Sequence, residues 1–247
     1  MWHDVAARPA WQQMAIDHAL AGLAARDGTI IYRLYRWSTD TVSFGANEQA
    51  GRTWNRAALE RSGIPCVRRP TGGRGVWHDA EDLTYAVTGP AAALGGLRLA
   101  YRVIHEQLAG ALRGVGVDAA IAPRSRRPTL DPGSCFDLAV GGEVLVDGRK
   151  TIGSAQALLG TAVLQHGAIA RADRGPALAR FRLTSVAADR SEPGRDLPDA
   201  AIIASAIVDS WRRDGGGEIP GEVVAWAERP DHPGAERFRD PQWTWRR

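Results

Sequence analysis

The sequence predicts an α+β fold in which helices flank a mixed, largely antiparallel sheet. Three observations carry this. Runs rich in β-branched and aromatic residues recur up to about residue 170. Helical patterns interrupt them without the regular strand–helix alternation of a parallel sheet. Asp147-Gly148, set between alternating apolar residues, marks a tight hairpin.

Taken in order, Pro9 opens a first helix through WQQMAIDHALAGLA, with Met14, Leu20 and Leu23 near one face and Gly28 beyond its end. TIIYRLYRW and TVSFG read as strands. NRAALERSG is a short helix closed by Gly63, and IPCVRR returns as a strand. A glycine-rich turn, TGGRG, precedes the strand DLTYAV. Ala100, Ile104, Leu108 and Leu112 recur at four-residue spacing, which predicts an amphipathic helix. Residues 123–134 form a polar loop with three prolines, a kind of segment that tends to carry function. VLVDGRKTIG is the hairpin, TAVLQHGAIA another strand, and from about residue 176 the pattern turns helical, clearest in DLPDAAIIASAIVDSWRRD.

At 247 residues the chain can bury a full core. A net charge of +3 is mild; it suits an acidic protein partner or a small anionic ligand and argues against nucleic acid. No apolar run approaches the roughly 18 residues that would cross a bilayer, so no membrane association is expected. The N-terminus lacks a basic-then-apolar signal pattern, so a cytoplasmic protein is expected. Two cysteines, Cys66 and Cys135, make no disulfide framework, and the histidines show no zinc spacing. Cys66 lies in an apolar stretch and reads as a small buried hydrophobe, whereas Cys135 follows the polar loop.

The cations are unevenly chosen. Of 31 Lys plus Arg, a single one is lysine, Lys150, two residues past the Asp-Gly turn. Strand alternation would place Lys150, Ile152 and Ser154 on one face and Arg149, Thr151 and Gly153 on the other. A solvated strand-edge lysine is the ordinary reading of such a position. A chain that otherwise writes arginine points instead to a site needing a compact point charge, which a guanidinium fork cannot supply.

A second candidate is RRPTGGRGVWHD, residues 68–79. Its glycines let a backbone approach a ligand and expose N–H groups to an anion, and arginine can clamp phosphate or carboxylate. A β-turn with flanking surface charges fits the same residues equally well. Neither the phosphate-loop nor the dinucleotide pattern is present. In a third stretch, GSAQALLGTAVLQHGAIA, glycines interrupt two strands, a mark of close approach by a ligand or another backbone. His166 there reads as a satisfied core histidine or as a site residue.

Together, RRPTGGRGVWHD, DGRKTIGSAQ and LQHGAIA resemble, in order, the motif blocks of the biotin/lipoate protein ligase and octanoyltransferase family. Weaker likenesses in MAIDHAL, TVSFGANEQA and RFRDPQWTWRR extend the resemblance across most of the chain. It implies one catalytic domain over residues 1–247, related to class II aminoacyl-tRNA synthetases, with a mainly helical part from about 176. It also implies that Lys150 contacts the acyl carbonyl of bound substrate or acyl-adenylate. Arg69, Thr71, Gly72, Gly73, Arg74, Gly75, Val76, Trp77, His78 and Asp79 would line the ligand, with Gly153, Ser154, Ala155, Gln156, His166 and Gly167 beside them.

Within the family, the cysteine/lysine octanoyltransferases are the closer likeness. TGGR followed by DLTYAV resembles their variant of the block, and Cys135 sits fifteen residues before Lys150 where their nucleophile stands. The resemblance thus implies octanoyl or lipoyl transfer from acyl carrier protein, through a Cys135 thioester, to a lysine of a lipoyl-domain protein. Acceptors of that kind are the glycine cleavage H protein and the 2-oxoacid dehydrogenase E2 component. Transfer of this sort needs no cofactor. The alternative is a lipoate–protein ligase working through lipoyl-AMP, which needs ATP and magnesium; the chain ends short of the extra domain of long bacterial ligases. No metal-ligating residues are expected in either case. Two positions depart from the family pattern: Gln13 stands where asparagine is usual, and Ala157 where a basic residue follows Gly-Ser-Ala-Gln.

Overall fold

A computed structural model describes residues 1–123, 142–172, 174–183, 196–232 and 234–246. Cys135 and most of the proline-containing loop therefore lie outside the described residues. In chain order the elements are β1 (Trp2–His3), α1 (Ala10–Asp27), β2 (Ile31–Tyr35), β3 (Thr41–Phe44), α2 (Ala50–Thr53) and α3 (Arg56–Arg61). Next come β4 (Cys66–Arg68), β5 (Val76–His78), β6 (Leu83–Pro90), α4 (Gly96–Gly114) and β7 (Ala119–Ile121). They are followed by β8 (Val144–Val146), β9 (Arg149–Leu159), β10 (Ala162–Ile169) and α5 (Gly175–Ala179). The chain closes with α6 (Ala200–Arg213), α7 (Gly221–Ala227), α8 (Glu236–Arg239) and α9 (Pro241–Thr244).

Local signals set several ends. Gly28 takes the left-handed conformation after α1 (φ 72°), where a side chain would be strained. The Asn55 side chain accepts the Ala58 N–H and caps α3. Asp147 and Gly148 both have positive φ (51° and 73°), the two-residue hairpin turn that strand twist favours.

A seven-stranded sheet runs β1-β2-β6-β10-β9-β8-β7, antiparallel except for the β1–β2 pair. A second, three-stranded sheet runs β4-β3-β5, with β3 and β4 parallel. The mixed, mostly antiparallel sheet flanked by helices is as expected; the division into two sheets is not, because periodicity does not say which strands pair and the three residues of β5 carry too little of it to assign. On one face of the large sheet, Leu83, Tyr85, Val87, Val144, Ile152 and Val163 pack against Ile104, Leu108 and Leu112 of α4 and Ile203 and Ile207 of α6. On the other face, Met14 and Ala21 of α1 cover Tyr35, Ala86 and Leu164. Beyond Ile169 the described elements are all helices.

The small sheet is tied to the end of the chain by Arg68. Its guanidinium is buried and donates to the carbonyls of Gly45 (2.7 Å), Glu48 (2.7 Å), Trp243 (2.9 Å), Thr244 (3.0 Å) and Arg246 (3.0 Å). Such an arginine stitches separate chain segments that would otherwise bury unpaired carbonyls. Cys66, on the same strand, is half-buried rather than fully buried as its surroundings suggested, and burial pushes its thiol up to about 12.

Candidate active site

The glycine turn is built around Arg69. Its Nη1 donates to the Ser43 carbonyl (2.9 Å) and hydroxyl (3.1 Å), its Nε and Nη2 to the Gly72 carbonyl (3.1 and 2.7 Å), and Nη2 also to the Arg74 carbonyl (2.8 Å). Gly45 packs against this turn so closely that a Cβ would stand 1.8 Å from the Gly73 carbonyl oxygen, so only glycine fits. Gly73 has a positive φ (95°) and lies at the exposed tip. Gly75 lies against the Trp54 ring. Arg69 thus spends its hydrogen bonds on holding Gly72 to Arg74 in shape.

Thr71 is buried and its hydroxyl lies 2.6 Å from His166 Nε2 on β10. The other ring nitrogen, Nδ1, lies 3.1 Å from Asp17 on α1. A carboxylate only accepts, so Nδ1–H is the donor there; in the neutral ring Nε2 then accepts the Thr71 hydroxyl proton. Asp17 also accepts from Arg33 Nη1 (2.7 Å) and the Tyr35 hydroxyl (2.9 Å). Burial alone would raise the Asp17 carboxyl, but the His166 hydrogen bond and the Arg33 charge more than offset that and hold it below the usual range. Gln13 and Asp4 complete the ring of acceptors around Arg33. His166 is therefore both a satisfied core histidine and the link between α1 and the glycine turn.

Val76, Trp77 and His78 form β5. His78 is buried; its Nε2 lies 2.8 Å from the Ser43 hydroxyl, and burial together with nearby Arg69 pushes its pKa down to about 3, so the ring is neutral. Trp77 stacks on Phe181 at the rim. Asp79 pairs with Arg174 (2.7 Å) and not with the turn.

The Gly-Ser-Ala-Gln run is split between the two faces of β9. Ala155 pairs with His166 and shares its face, while Ser154 and Gln156 point beneath α4. There, His105 is held neutral by burial, which lowers its pKa to about 4. Its Nδ1–H donates to the Gly142 carbonyl (2.6 Å), so Nε2 accepts from the Ser154 hydroxyl (2.7 Å). Tyr85 in turn donates to Ser154 (2.6 Å), Gln165 to Tyr85 (2.8 Å), and Gln156 to Gln165 (2.8 Å). The donors thus run one way, from Gln156, which also donates to the Leu97 carbonyl (2.9 Å), to the Gly142 carbonyl. Gly167 leaves the room for this series: a Cβ there would meet the Ser154 hydroxyl and the Gly153 carbonyl at 2.5 Å each. The glycines in β9 and β10 thus mark, at Gly167, the close approach of another backbone.

Lys150 does not follow the expected alternation. Leu145 pairs with Lys150 but Val144 pairs with Ile152, so Thr151 is an extra residue on β9, a β-bulge. Cross-strand partners share a face, and Val144 and Leu145 face opposite ways. Lys150 consequently turns away from the face of Ile152 and Ser154, correcting the shared face that a period of two predicts. It is buried, and its Nζ lies 2.6 Å from the Glu143 carboxylate, itself buried. Five residues separate Lys150 from Ala155, roughly 16 Å along a strand.

Asp17, His105 and Glu143 were not singled out from sequence. His105 adjoins the buried stripe of α4, and Asp17 lies on the buried side of α1, so an inward-facing ionisable residue was the available signal for both. Glu143 precedes a three-residue strand and gave none. Among the described residues, no cluster of three or more His, Cys, Asp or Glu could hold a metal ion, and no helix is long and apolar enough to cross a membrane.

A lipoate-protein ligase A bound with ATP superposes with a TM-score of 0.75 at 19% identity, covering 99% of each chain. The bi-partite lipoate protein ligase of Thermoplasma acidophilum, studied with its E2 lipoyl domain, gives 0.72 at 19% identity over 99% of this chain and 94% of that one. In sequence, residues 9–180 match the lipoyl protein ligase A/B catalytic domain, and the chain belongs to that family. The octanoyltransferase LipM of Kyrpidia tusciae is 33% identical over 260 aligned positions, covering 95% of this chain and 94% of that protein.

Proposed function

We propose that this protein is an octanoyltransferase that moves an octanoyl group from acyl carrier protein to a lysine of a lipoyl-domain protein. The observation that carries this reading is the likeness to octanoyltransferase LipM of Kyrpidia tusciae, which extends over nearly the full length of both chains. In the first step the Cys135 thiolate attacks the octanoyl carbonyl, and the carrier's thiolate leaves. In the second, the acceptor lysine's neutral amine attacks the Cys135 thioester, forms the amide and returns the thiolate. Both tetrahedral intermediates place negative charge on the carbonyl oxygen, and the Lys150 ammonium is the point charge that stabilises it. The turn from Thr71 to Gly75, shaped by Arg69 and tethered through His166, takes the anionic part of the donor. Transfer by this route uses neither ATP nor a metal. It takes place in the cytoplasm, with acceptors such as the glycine cleavage H protein or a 2-oxoacid dehydrogenase E2.

The test offers the purified protein octanoyl–acyl carrier protein without ATP, or lipoate with ATP and magnesium, beside a lipoyl-domain acceptor. Acylation in the first mixture, with a hydroxylamine-sensitive octanoyl mass on the protein that Cys135→Ser loses and Cys66→Ser keeps, supports transfer. Acylation only in the second, undiminished in Cys135→Ser, makes the protein a ligase.

A further inference from the structure

We propose that Glu143 is a positioning residue for acyl transfer, the group that aims the Lys150 ammonium at the reacting carbonyl. The proposal rests on the acyl-transfer reading and adds a residue to it. The Glu143 carboxylate lies 2.6 Å from Lys150 Nζ, and both side chains are buried. An ammonium directs its three N–H bonds tetrahedrally, so a carboxylate that takes one fixes the directions of the other two.

A purely structural pair would be written differently in this chain. A buried ion pair is a weak source of stability, and a planar guanidinium matches a carboxylate better than an ammonium does. The chain follows that habit at its other fully buried pairs, where Arg33 meets Asp4 and Asp17. Only at Glu143 does it keep lysine. An ammonium paired with a carboxylate directs its other N–H bonds away from that partner, which a two-pronged arginine pair would not do.

Glu143 is itself held. Burial and the neighbouring Glu143 carboxylate raise the pKa of the Tyr101 phenol, which places the two groups side by side, and the carbonyl of the preceding residue, Gly142, receives the Nδ1–H of His105. His105 is the last side chain in the one-way series of donors that begins at Gln156. That series has no freedom to reverse, because it ends on a carbonyl that can only accept. The base of the Glu143 side chain is thus set by α4 and the sheet together, and the lysine inherits that position.

The test measures octanoyl transfer by wild type, Glu143→Gln, Glu143→Asp and Tyr101→Phe, with kcat and KM for octanoyl–acyl carrier protein. Glu143→Gln should lower kcat on the order of 30- to 100-fold, the scale of a misplacement near 1 Å, with KM within about threefold. Glu143→Asp, which keeps the charge but sets it back by one methylene, should fall between Glu143→Gln and wild type in kcat, again at near wild-type KM. A Glu143→Gln enzyme within about threefold of wild type in kcat overturns the proposal. Should Glu143→Gln not fold, Tyr101→Phe decides: a several-fold loss of kcat at wild-type KM supports the proposal and an unchanged kcat overturns it. Wild type is the control for the reading beneath. If it is silent with the carrier donor but acylates with lipoate and ATP, the transferase reading falls, and the same series is then measured on the ligase reaction.

Discussion

Replacing Asp17 with asparagine isolates the buried centre that joins α1 to the glycine turn. The substitution keeps the shape of the side chain and removes its charge. Arg33, fully buried, then loses one of its two carboxylates but keeps Asp4 at 2.7 Å and the Gln13 side chain. Breaking a buried pair costs roughly 3–5 kcal/mol, and the surviving partners place this one near the lower end. At about 2–4 °C per kcal/mol for a chain of this size, Tm should fall by roughly 6–12 °C in a scan at pH 7. The pH dependence has a definite sign. The Asp17 carboxyl lies below its ordinary value when folded, so its contribution is present above that value, near 3.8, and is lost as pH falls through the folded pKa. The gap between wild type and Asp17→Asn should therefore hold from neutrality to about pH 4 and close in stronger acid. His166 would face an amide in place of a carboxylate, so transfer should weaken in protein that remains folded. A Tm within about 2 °C of wild type at pH 7 would refute the energetic role assigned to this carboxylate.

Further outcomes follow from other parts of the fold. Lys150→Arg should retain normal circular dichroism and lose at least about 90% of transfer, ~1.4 kcal/mol of barrier, because a planar group cannot sit where Nζ sits. Arg69→Ala removes the donors that shape Gly72 to Arg74, so KM for the acyl donor should rise several-fold; an unchanged KM would leave Arg69 with a role in folding alone. Burial pushes Asp82 up to about 7, so its stability contribution is full below the ordinary carboxylate value and is lost as pH rises through about 7. Asp82→Asn should accordingly match wild type in unfolding free energy near pH 4 and exceed it at pH 8, by at most ~4 kcal/mol; a pH-independent difference would contradict this.

Long elements with strong periodicity were legible in the sequence. The four-residue recurrence in α4, the short helix α3 and the Asp-Gly hairpin all stand where their residues place them. Short strands were read unevenly: β4 stands within IPCVRR, which reads as a strand, whereas the three residues of β5 fit a turn as well as a ladder. Thr71 of the glycine turn meets His166, yet the face of Lys150 was misread. Period-two reasoning assumes an unbroken ladder, and one inserted residue reverses it. The partners of the site residues were hidden for another reason: Asp17, His105 and Glu143 come from other elements, and only the tertiary fold brings them into contact.

Thr151 has a consequence for how this strand can change. It sits at a joint: its hydroxyl donates to the Arg149 carbonyl and its own carbonyl accepts from Ala170. Ahead of it, Arg149 and Lys150 take their orientation from β8 and the hairpin turn; after it, Ile152 to Leu159 take theirs from β10. The two segments of β9 are thus out of phase, like rows of atoms on either side of a dislocation in a crystal. A hairpin grafted from a relative, from Val144 to Lys150, would bring its own phase with it, and the misfit would be absorbed at a single peptide. The lysine and its turn form a cassette that can be exchanged without disturbing the strand that follows.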